Sequence, residues 1–125
     1  MSEKKTPVLE VGVPVLSVDN LSEAMDYYNK VLGFQTNWTW GEPPYLACMC
    51  RDRVELNLGE RGKIGPLGAS KVYFRMSGVE TYYDQAKNAG AKIISPLGDR
   101  PYGMKDFNLH DSSGNDLGFG ESIVE

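Results

Sequence analysis

The chain has 125 residues, of which 17 are acidic and 13 are basic, and its formal net charge is -4. This length fits one domain of about 100 to 200 residues, which is large enough to bury a core without disulfide bonds. The mildly acidic balance argues against nucleic acids and anionic membrane surfaces as partners, and it is compatible with a cationic ligand.

The chain repeats one order of predicted elements. In each half a strand leads into a helix, and three strands in antiparallel order follow. The predicted strands are 11–18, 34–40, 45–50, 54–58, 70–76, 91–95, 104–110 and 116–121, and helices open at Asn20 and Ser77. This repeat predicts an α+β fold of two βαβββ modules, with a longer loop over residues 96–103.

The two predicted helices share their start and stop signals. Asn20 and Ser77 each stand three residues ahead of a glutamate, which is the pattern of a capping box. Gly33 and Gly90 follow the last apolar residues of the two helices, where glycine commonly ends a helix. The same capping is therefore expected in both halves.

The modules are expected to span residues 8–59 and 69–121 of a single domain. Between them, residues 59–68 carry glycines at 59, 62, 65 and 68, and we interpret this stretch as a flexible hinge.

One helix covers only one face of a four-stranded sheet, so each module leaves a face uncovered. Strand alternation places Glu55 and Asn57 on this face in the first half, and Lys71, Tyr73 and Arg75 in the second. Such a face is either solvated, packed on a second sheet or used to surround a ligand.

The second strand carries two indoles. Trp38 and Trp40 alternate along it and share a face, and Tyr45 follows across a Pro-Pro turn. Paired indoles rarely decorate a free surface, so they belong to the core, to a dimer interface or to a ligand site.

The two cysteines, Cys48 and Cys50, also share a strand face, and this spacing does not easily reach disulfide geometry. Two cysteines without a second cluster do not make a zinc site, so we interpret them as buried strand residues. Because no apolar targeting stretch follows Met1, we expect a cytosolic protein with reduced thiols.

Two stretches carry a family resemblance. They comprise residues 13–16, 22–28 and 32–34 in the first half, and 100–107, 111–115 and 117–119 in the second. With them the chain resembles the vicinal oxygen chelate superfamily, which includes glyoxalase I, extradiol dioxygenases, fosfomycin resistance enzymes and bleomycin resistance proteins. The second stretch is most similar to the bleomycin resistance branch. The resemblance implies a mixed sheet curled around a cleft, in a homodimer with exchanged modules and two ligand grooves.

Metal-dependent members of this superfamily hold an ion on the inward face of four strands. The resemblance maps those positions to about Val13, Glu55, Lys71 and Gly118, of which only Glu55 could coordinate a metal. A fixed ammonium at Lys71 would repel a divalent ion. The one histidine, His110, lies beside a turn and is interpreted as a surface residue. We therefore expect neither a metal nor another cofactor.

The resemblance also implies aromatic ligand contacts. Tyr102, in the sequence Pro101-Tyr102-Gly103, stands where bleomycin resistance proteins carry an aromatic residue. Tyr73 stands where they carry an indole on the strand before the second helix. In that family such rings stack on flat parts of the antibiotic.

The expected function is metal-independent sequestration of a flat cationic or amphipathic small molecule at a homodimer interface, with no catalytic residue. The predicted ligand-binding residues are Trp38, Trp40, Tyr45, Glu55, Asn57, Tyr73, Arg75 and Tyr102. One alternative is a lyase or isomerase that acts on a small oxygenated metabolite, with Glu55 as a base kept ionised by Lys71 and Arg75. Another is a structural or regulatory dimer with a vestigial cleft.

Overall fold

A computed structural model describes residues 6–8, 10–63 and 70–123. Its elements are β1 (Val15–Val18), α1 (Leu21–Lys30), β2 (Gln35–Trp40), β3 (Leu46–Arg51), β4 (Val54–Glu60), β5 (Lys71–Arg75), α2 (Val79–Asn88), β6 (Lys92–Asp99), β7 (Met104–His110) and β8 (Asp116–Ser122). This order confirms the two predicted βαβββ modules. In the same described residues, neither helix has the length and apolar character needed to cross a membrane.

Each module contains one four-stranded mixed sheet. The strand orders are β1-β4-β3-β2 and β5-β8-β7-β6, and β1 and β5 each pair in parallel with the last strand of their module. The repeat extends to the strand register. Val15 of β1 pairs with Asn57 of β4, and at the equivalent positions of the second module Tyr73 of β5 pairs with Gly118 of β8. Residues in one module therefore have defined equivalents in the other.

Helix α1 begins as the sequence predicts. The Asn20 side chain accepts a hydrogen bond of 2.9 Å from the backbone N–H of Glu23. A second acceptor comes from β4, where Glu60 Oε2 lies 3.0 Å from the backbone nitrogen of Leu21. Two of the free donors at this helix end are thus satisfied, one locally and one by tertiary contact.

Helix α2 begins differently, and the capping box expected at Ser77 is wrong. Gly78 is the N-cap, with a φ of 78° that favours glycine, and no side chain caps locally. Instead Glu121 Oε1, at the end of β8, accepts from the backbone nitrogens of Gly78 and Val79 at 2.9 and 3.0 Å. Glu121 is the equivalent of Glu60, so each helix start has a glutamate acceptor from the last strand of its module. Only α1 also has a local side-chain cap.

One continuous core runs through both modules. The first sheet contributes aliphatic residues, and the second contributes rings, with Phe119 stacked on Phe74 and Phe107 at 5.0 and 5.3 Å. Tyr82 of α2 meets Phe119 edge to face at 5.1 Å. These contacts put the core on the helix side of each sheet, which leaves the opposite faces free for other contacts.

Buried polar contacts lock the modules together. Tyr28 Oη of α1 donates to Asp111 Oδ2 at 2.9 Å, and Asn115 Nδ2 donates to the backbone oxygen of Ser17 at 2.8 Å. Asn115 also donates to Asp111 at 2.9 Å, and both residues are buried. Because breaking such a buried network is costly, the two modules are held in a fixed relation.

Three predicted strand boundaries differ from the structure by two or more residues. β1 begins only at Val15, directly after Pro14, and lies at a sheet edge, where the missing N–H of a neighbouring proline is tolerated. β4 continues to Glu60, so Gly59 is part of a strand, whereas residues 64–68 of the predicted hinge lie outside the described residues. β6 runs on to Asp99 through Pro96, which an edge strand with register shifts tolerates, so the loop predicted from residue 96 is shorter.

Candidate functional site

The first sheet gathers predicted ligand residues on its uncovered face. Trp38 and Asn57 both pair with Cys48, and Glu55 pairs with Cys50, so these side chains point to the same side. Trp40 follows on the same face, and the two indoles are 42% and 65% exposed. The indoles are therefore not core residues, which leaves a ligand site or a dimer interface. We call this surface the first face.

Tyr45 lies at the border of the first face. Its backbone nitrogen donates to the backbone oxygen of Trp40 at 2.9 Å, and its ring packs closely over Gly41. The half-buried ring is thus fixed at the turn that follows the two indoles.

Glu55 contacts a thiol. Cys48 Sγ lies 3.5 Å from Glu55 Oε2 and 3.8 Å from Cys50 Sγ. Burial, together with the neighbouring Cys50 and Glu55, raises the pKa of Cys48, so this thiol stays protonated and is a poor nucleophile. Among the described residues no ion pair joins Glu55 to Lys71 or Arg75, contrary to expectation, and Lys71 Nζ lies 3.8 Å from Asp116 Oδ2 instead.

The second sheet builds a hydrogen-bonded cluster around a buried carboxylate. Tyr73 Oη and Tyr102 Oη both donate to Asp106 Oδ2, at 2.9 and 2.5 Å. Arg100 Nε donates to the other oxygen at 2.7 Å, and only 1% of Asp106 is exposed. We call these four residues the Asp106 cluster, and the uncovered surface of this sheet the second face.

Arg100 ties this cluster to the neighbouring strand β6. Its Nη2 atom donates to Ser95 Oγ at 3.0 Å and to the backbone oxygens of Pro96 and Asp106 at 2.6 and 3.1 Å. A guanidinium with its donors committed in this way is held rigidly. Arg100 therefore fixes the start of the loop that carries Tyr102.

The pKa values reflect this geometry. Desolvation alone would raise the pKa of Asp106, but hydrogen bonds from Tyr102, Arg100 and Tyr73 outweigh it and hold that pKa below its usual range. Burial and the bond to Asp106 raise the pKa of Tyr73 to about 12. The hydrogen bond to Asp106 likewise raises the pKa of Tyr102. Near neutral pH the carboxylate is ionised and both phenols keep their protons.

Two glycines of β8 make room for the Tyr73 ring. A Cβ added at Gly118 would lie 2.8 Å from Tyr73 Cδ1, and one added at Gly120 would lie 2.7 Å from Tyr73 Cζ. Neither glycine has a positive φ, so space is the reason for glycine at these positions. The ring lies flat against the sheet, where its hydroxyl reaches Asp106.

The residues at the expected metal positions do not fit a metal ion. The register makes Gly118 the equivalent of Asn57, so Glu55 and Gly118 do not stand at equivalent places in the two modules. The four expected positions hold Val13, Glu55, Lys71 and Gly118, of which only Glu55 could coordinate an ion and Lys71 is cationic. Across the described ranges, no group of three or more His, Cys, Asp or Glu side chains could hold an ion together.

The single histidine takes no part in this arrangement. The backbone oxygen of His110 accepts from Tyr27 Oη at 3.0 Å, and its neighbour across the sheet is Asp116. Asp116 in turn accepts from Asn108 Nδ2 at 2.7 Å. The backbone oxygen of His110 and the side chains of Asn108 and Asp116 are therefore engaged within the protein.

The structure places the eight predicted ligand residues at three locations. Five lie on or beside the first face, Tyr73 and Tyr102 lie in the Asp106 cluster, and Arg75 lines a separate groove between the modules. In the part of the chain that the structure describes, no hydrogen bond, ion pair or ring contact joins the five to the other three.

Sequence reasoning missed Asp106 and Arg100. Alternation along β7 puts Phe107 and Leu109 in the core, which places Asp106 and Asn108 on the uncovered face. An acidic residue there, four residues after Tyr102, was the available signal.

A sequence profile of the Glyoxalase/Bleomycin resistance protein/Dioxygenase superfamily matches residues 10–119. No curated protein sequence matches the chain.

Several solved structures share the fold. TioX from Micromonospora sp. ML1 is 20% identical, with a TM-score of 0.76 over 90% of this chain and 99% of its own. A lactoylglutathione lyase from Agrobacterium tumefaciens is 19% identical, with a TM-score of 0.76 over 95% of this chain and 98% of its own. A glyoxalase/bleomycin resistance protein/dioxygenase from Nocardioides is 18% identical, with a TM-score of 0.72 over 94% and 87%. At these identities the likeness concerns the fold alone.

Proposed function

Because this chain belongs to the glyoxalase/bleomycin resistance protein/dioxygenase superfamily, we propose that it is a metal-independent small-molecule binding protein of the bleomycin resistance type. It sequesters a flat cationic or amphipathic, antibiotic-like molecule in a cleft at the interface of a cytosolic homodimer with exchanged modules. In that dimer the first face of one subunit lies opposite the second face of its partner.

The Asp106 cluster is the observation that carries this proposal. Both phenol protons are donated to Asp106, so the oxygens of Tyr73 and Tyr102 have only lone pairs left for a ligand. A ligand group that contacts them must therefore donate hydrogen bonds. Amines, amides and amidines do so, and a cationic group also gains from the faces of the exposed rings.

The first face offers acceptors as well. Asn57 Oδ1 is buried and has no hydrogen-bond partner among the described residues. A buried acceptor of this kind is costly unless something donates to it. A ligand N–H would satisfy it, and the adjacent carboxylate of Glu55 favours a positive charge there.

The exposed aromatic residues supply the apolar area of the cleft. Trp38, Trp40, Tyr73 and Tyr102 are 42%, 65%, 43% and 66% exposed. Large rings left this open mark a surface that is covered by a ligand or a partner. Pairing of the first face of one chain with the second face of its partner would cover these rings and enclose a flat molecule.

Calorimetric titration of chelator-treated protein with metal-free bleomycin tests the proposal. We expect saturable binding of about one molecule per groove. Tyr102→Phe should weaken it several-fold, because the ring remains but the acceptor is lost. Tyr83→Phe is the matched control, since that ring packs on Phe107 in the core and should leave affinity unchanged. Absence of heat, or heat only after a divalent metal is added, would contradict the proposal.

The second candidate function is that of an enzyme of the lyase or isomerase type, with Glu55 as its base. The carboxylate is half-buried on the first face and lies beside the protonated thiol of Cys48, so it can accept a proton from a bound molecule. Glu55→Gln separates the two functions for any molecule found to bind. Turnover lost with binding retained indicates catalysis, whereas weakened binding alone indicates sequestration.

A further inference from the structure

A groove of about 600 Å³ lies between the modules, outside the Asp106 cluster. One wall is the β3–β4 turn with Arg51 and Arg53, and the other is Arg75 with the first turns of α2. This volume is within the range of about 300 to 1,000 Å³ that is typical of small-molecule pockets.

The floor of the groove is aromatic. It consists of Phe34, Phe74, Tyr82 and Phe119, which belong to the core and are each at most 9% exposed. Their edges provide a firm apolar surface, because Phe74, Tyr82 and Phe119 are held by the ring contacts described above and Phe34 meets Tyr28 edge to face at 5.7 Å. The apolar part of a ligand could be buried against this surface without any rearrangement of the core.

The rim of the groove is cationic. Arg51 is fixed, since its Nη1 atom donates to the backbone oxygen of Leu32 at 2.9 Å and its guanidinium lies 5.1 Å from the Tyr82 ring centre. Arg53 and Arg75 are exposed and make no hydrogen bond or ion pair with any described residue. Against these three cations the lining holds one carboxylate, Asp52.

We propose that this groove is a second ligand site, which binds an amphipathic anion. The apolar body of the ligand lies on the aromatic floor, and its carboxylate, sulfonate or phosphate group is held by the free guanidiniums of Arg53 and Arg75. Arginine suits this role because its planar fork matches such oxygens with paired hydrogen bonds. The site selects the opposite charge to the one that the Asp106 cluster selects.

Three naphthalene probes with the same body and different head groups test this site. The probes are 2-naphthoate, 2-naphthalenemethanol and 2-naphthylmethylammonium, titrated into the full chain by calorimetry. We expect 2-naphthoate to bind with one site per chain and at least tenfold more tightly than the other two. Arg53→Gln should weaken that binding by about tenfold, since one charged hydrogen-bond donor is lost.

Two further variants complete the test. Thr81→Trp places a bulky side chain in the groove and should abolish 2-naphthoate binding, with the fold checked by circular dichroism. Lys30→Gln is the matched control, since it removes a cation from α1 that pairs only with Asp26 on the surface. Tyr102→Phe should leave 2-naphthoate binding intact, so this site and the proposed cleft are tested independently.

The inference is overturned if the three probes bind with equal affinity, or if 2-naphthoate does not bind. It is also overturned if Arg53→Gln changes 2-naphthoate affinity no more than Lys30→Gln does. Because Arg53 is exposed, its variant should fold even if Thr81→Trp does not.

Discussion

Replacing Asp106 by Asn should destabilise the fold more than any exposed acid-to-amide change. The carboxylate accepts from Tyr73, Tyr102 and Arg100 at 2.9, 2.5 and 2.7 Å and is only 1% exposed, so water cannot substitute for it. Asparagine has the same shape, but its amide nitrogen must face one of these donors. A hydrogen bond to a charged group contributes about 1.5–3 kcal/mol, so we expect a loss of about 2–4 kcal/mol.

Thermal unfolding followed by circular dichroism measures this loss. In a domain of this size 1 kcal/mol shifts the Tm by roughly 3–5 °C, so Asp106→Asn should lower it by about 10 °C. Asp99→Asn is the matched control, because Asp99 is exposed and lies 3.9 Å from Lys105 Nζ. Asp99→Asn should lower the free energy of unfolding by less than about 0.5 kcal/mol.

The pH dependence gives a second, independent check. The pKa of Asp106 is lower in the folded than in the unfolded state, so its contribution to stability is complete above its unfolded pKa of about 3.9. It is lost as the pH falls from there through the folded pKa. The difference in Tm between the wild type and Asp106→Asn should therefore become smaller below about pH 4. Equal Tm losses for the two variants, or a gap that stays constant down to about pH 2.5, would refute this reasoning.

Two other substitutions probe the structure by thermal unfolding and calorimetry. Glu121→Ala should lower the free energy of unfolding by about 1–2 kcal/mol, because the N-terminus of α2 has no local side-chain cap. Glu60→Ala should lower it less, because Asn20 still caps α1. Equal losses of stability in the two variants would contradict this account of the caps. Gly120→Ala should displace the Tyr73 ring and cost about 1–3 kcal/mol, with weaker binding of metal-free bleomycin. Gly12→Ala is its control, since a Cβ there meets nothing within 4 Å.

Local pattern predicted the elements and their faces well. The sequence predicts β7 over residues 104–110, as observed, and alternation puts Glu55 and Asn57 on the face opposite to the buried Leu56 and Leu58. These predictions depend only on the two-residue period of a strand, which tertiary contacts do not alter. The same period identified Trp38 and Trp40 as neighbours on one face.

Features set by distant residues escaped prediction. Ser77 has the right spacing for a cap, but a carboxylate 44 positions later in the chain serves α2 instead. The Asp106 cluster depends on the register among β5, β8 and β7, which brings Tyr73 over Gly120 and next to Asp106. No local pattern encodes that convergence.

Restoration of binding in a mixed dimer tests the central claim most directly. One chain carries Trp38→Ala with Trp40→Ala, the other carries Tyr73→Ala with Tyr102→Ala, and each is titrated with metal-free bleomycin in chelator, alone and as a purified mixed dimer. If each cleft combines the first face of one subunit with the second face of its partner, neither variant binds alone. The mixed dimer, which retains one intact cleft, then binds one molecule. A mixed dimer that binds nothing, or a chain that stays monomeric, would contradict the account.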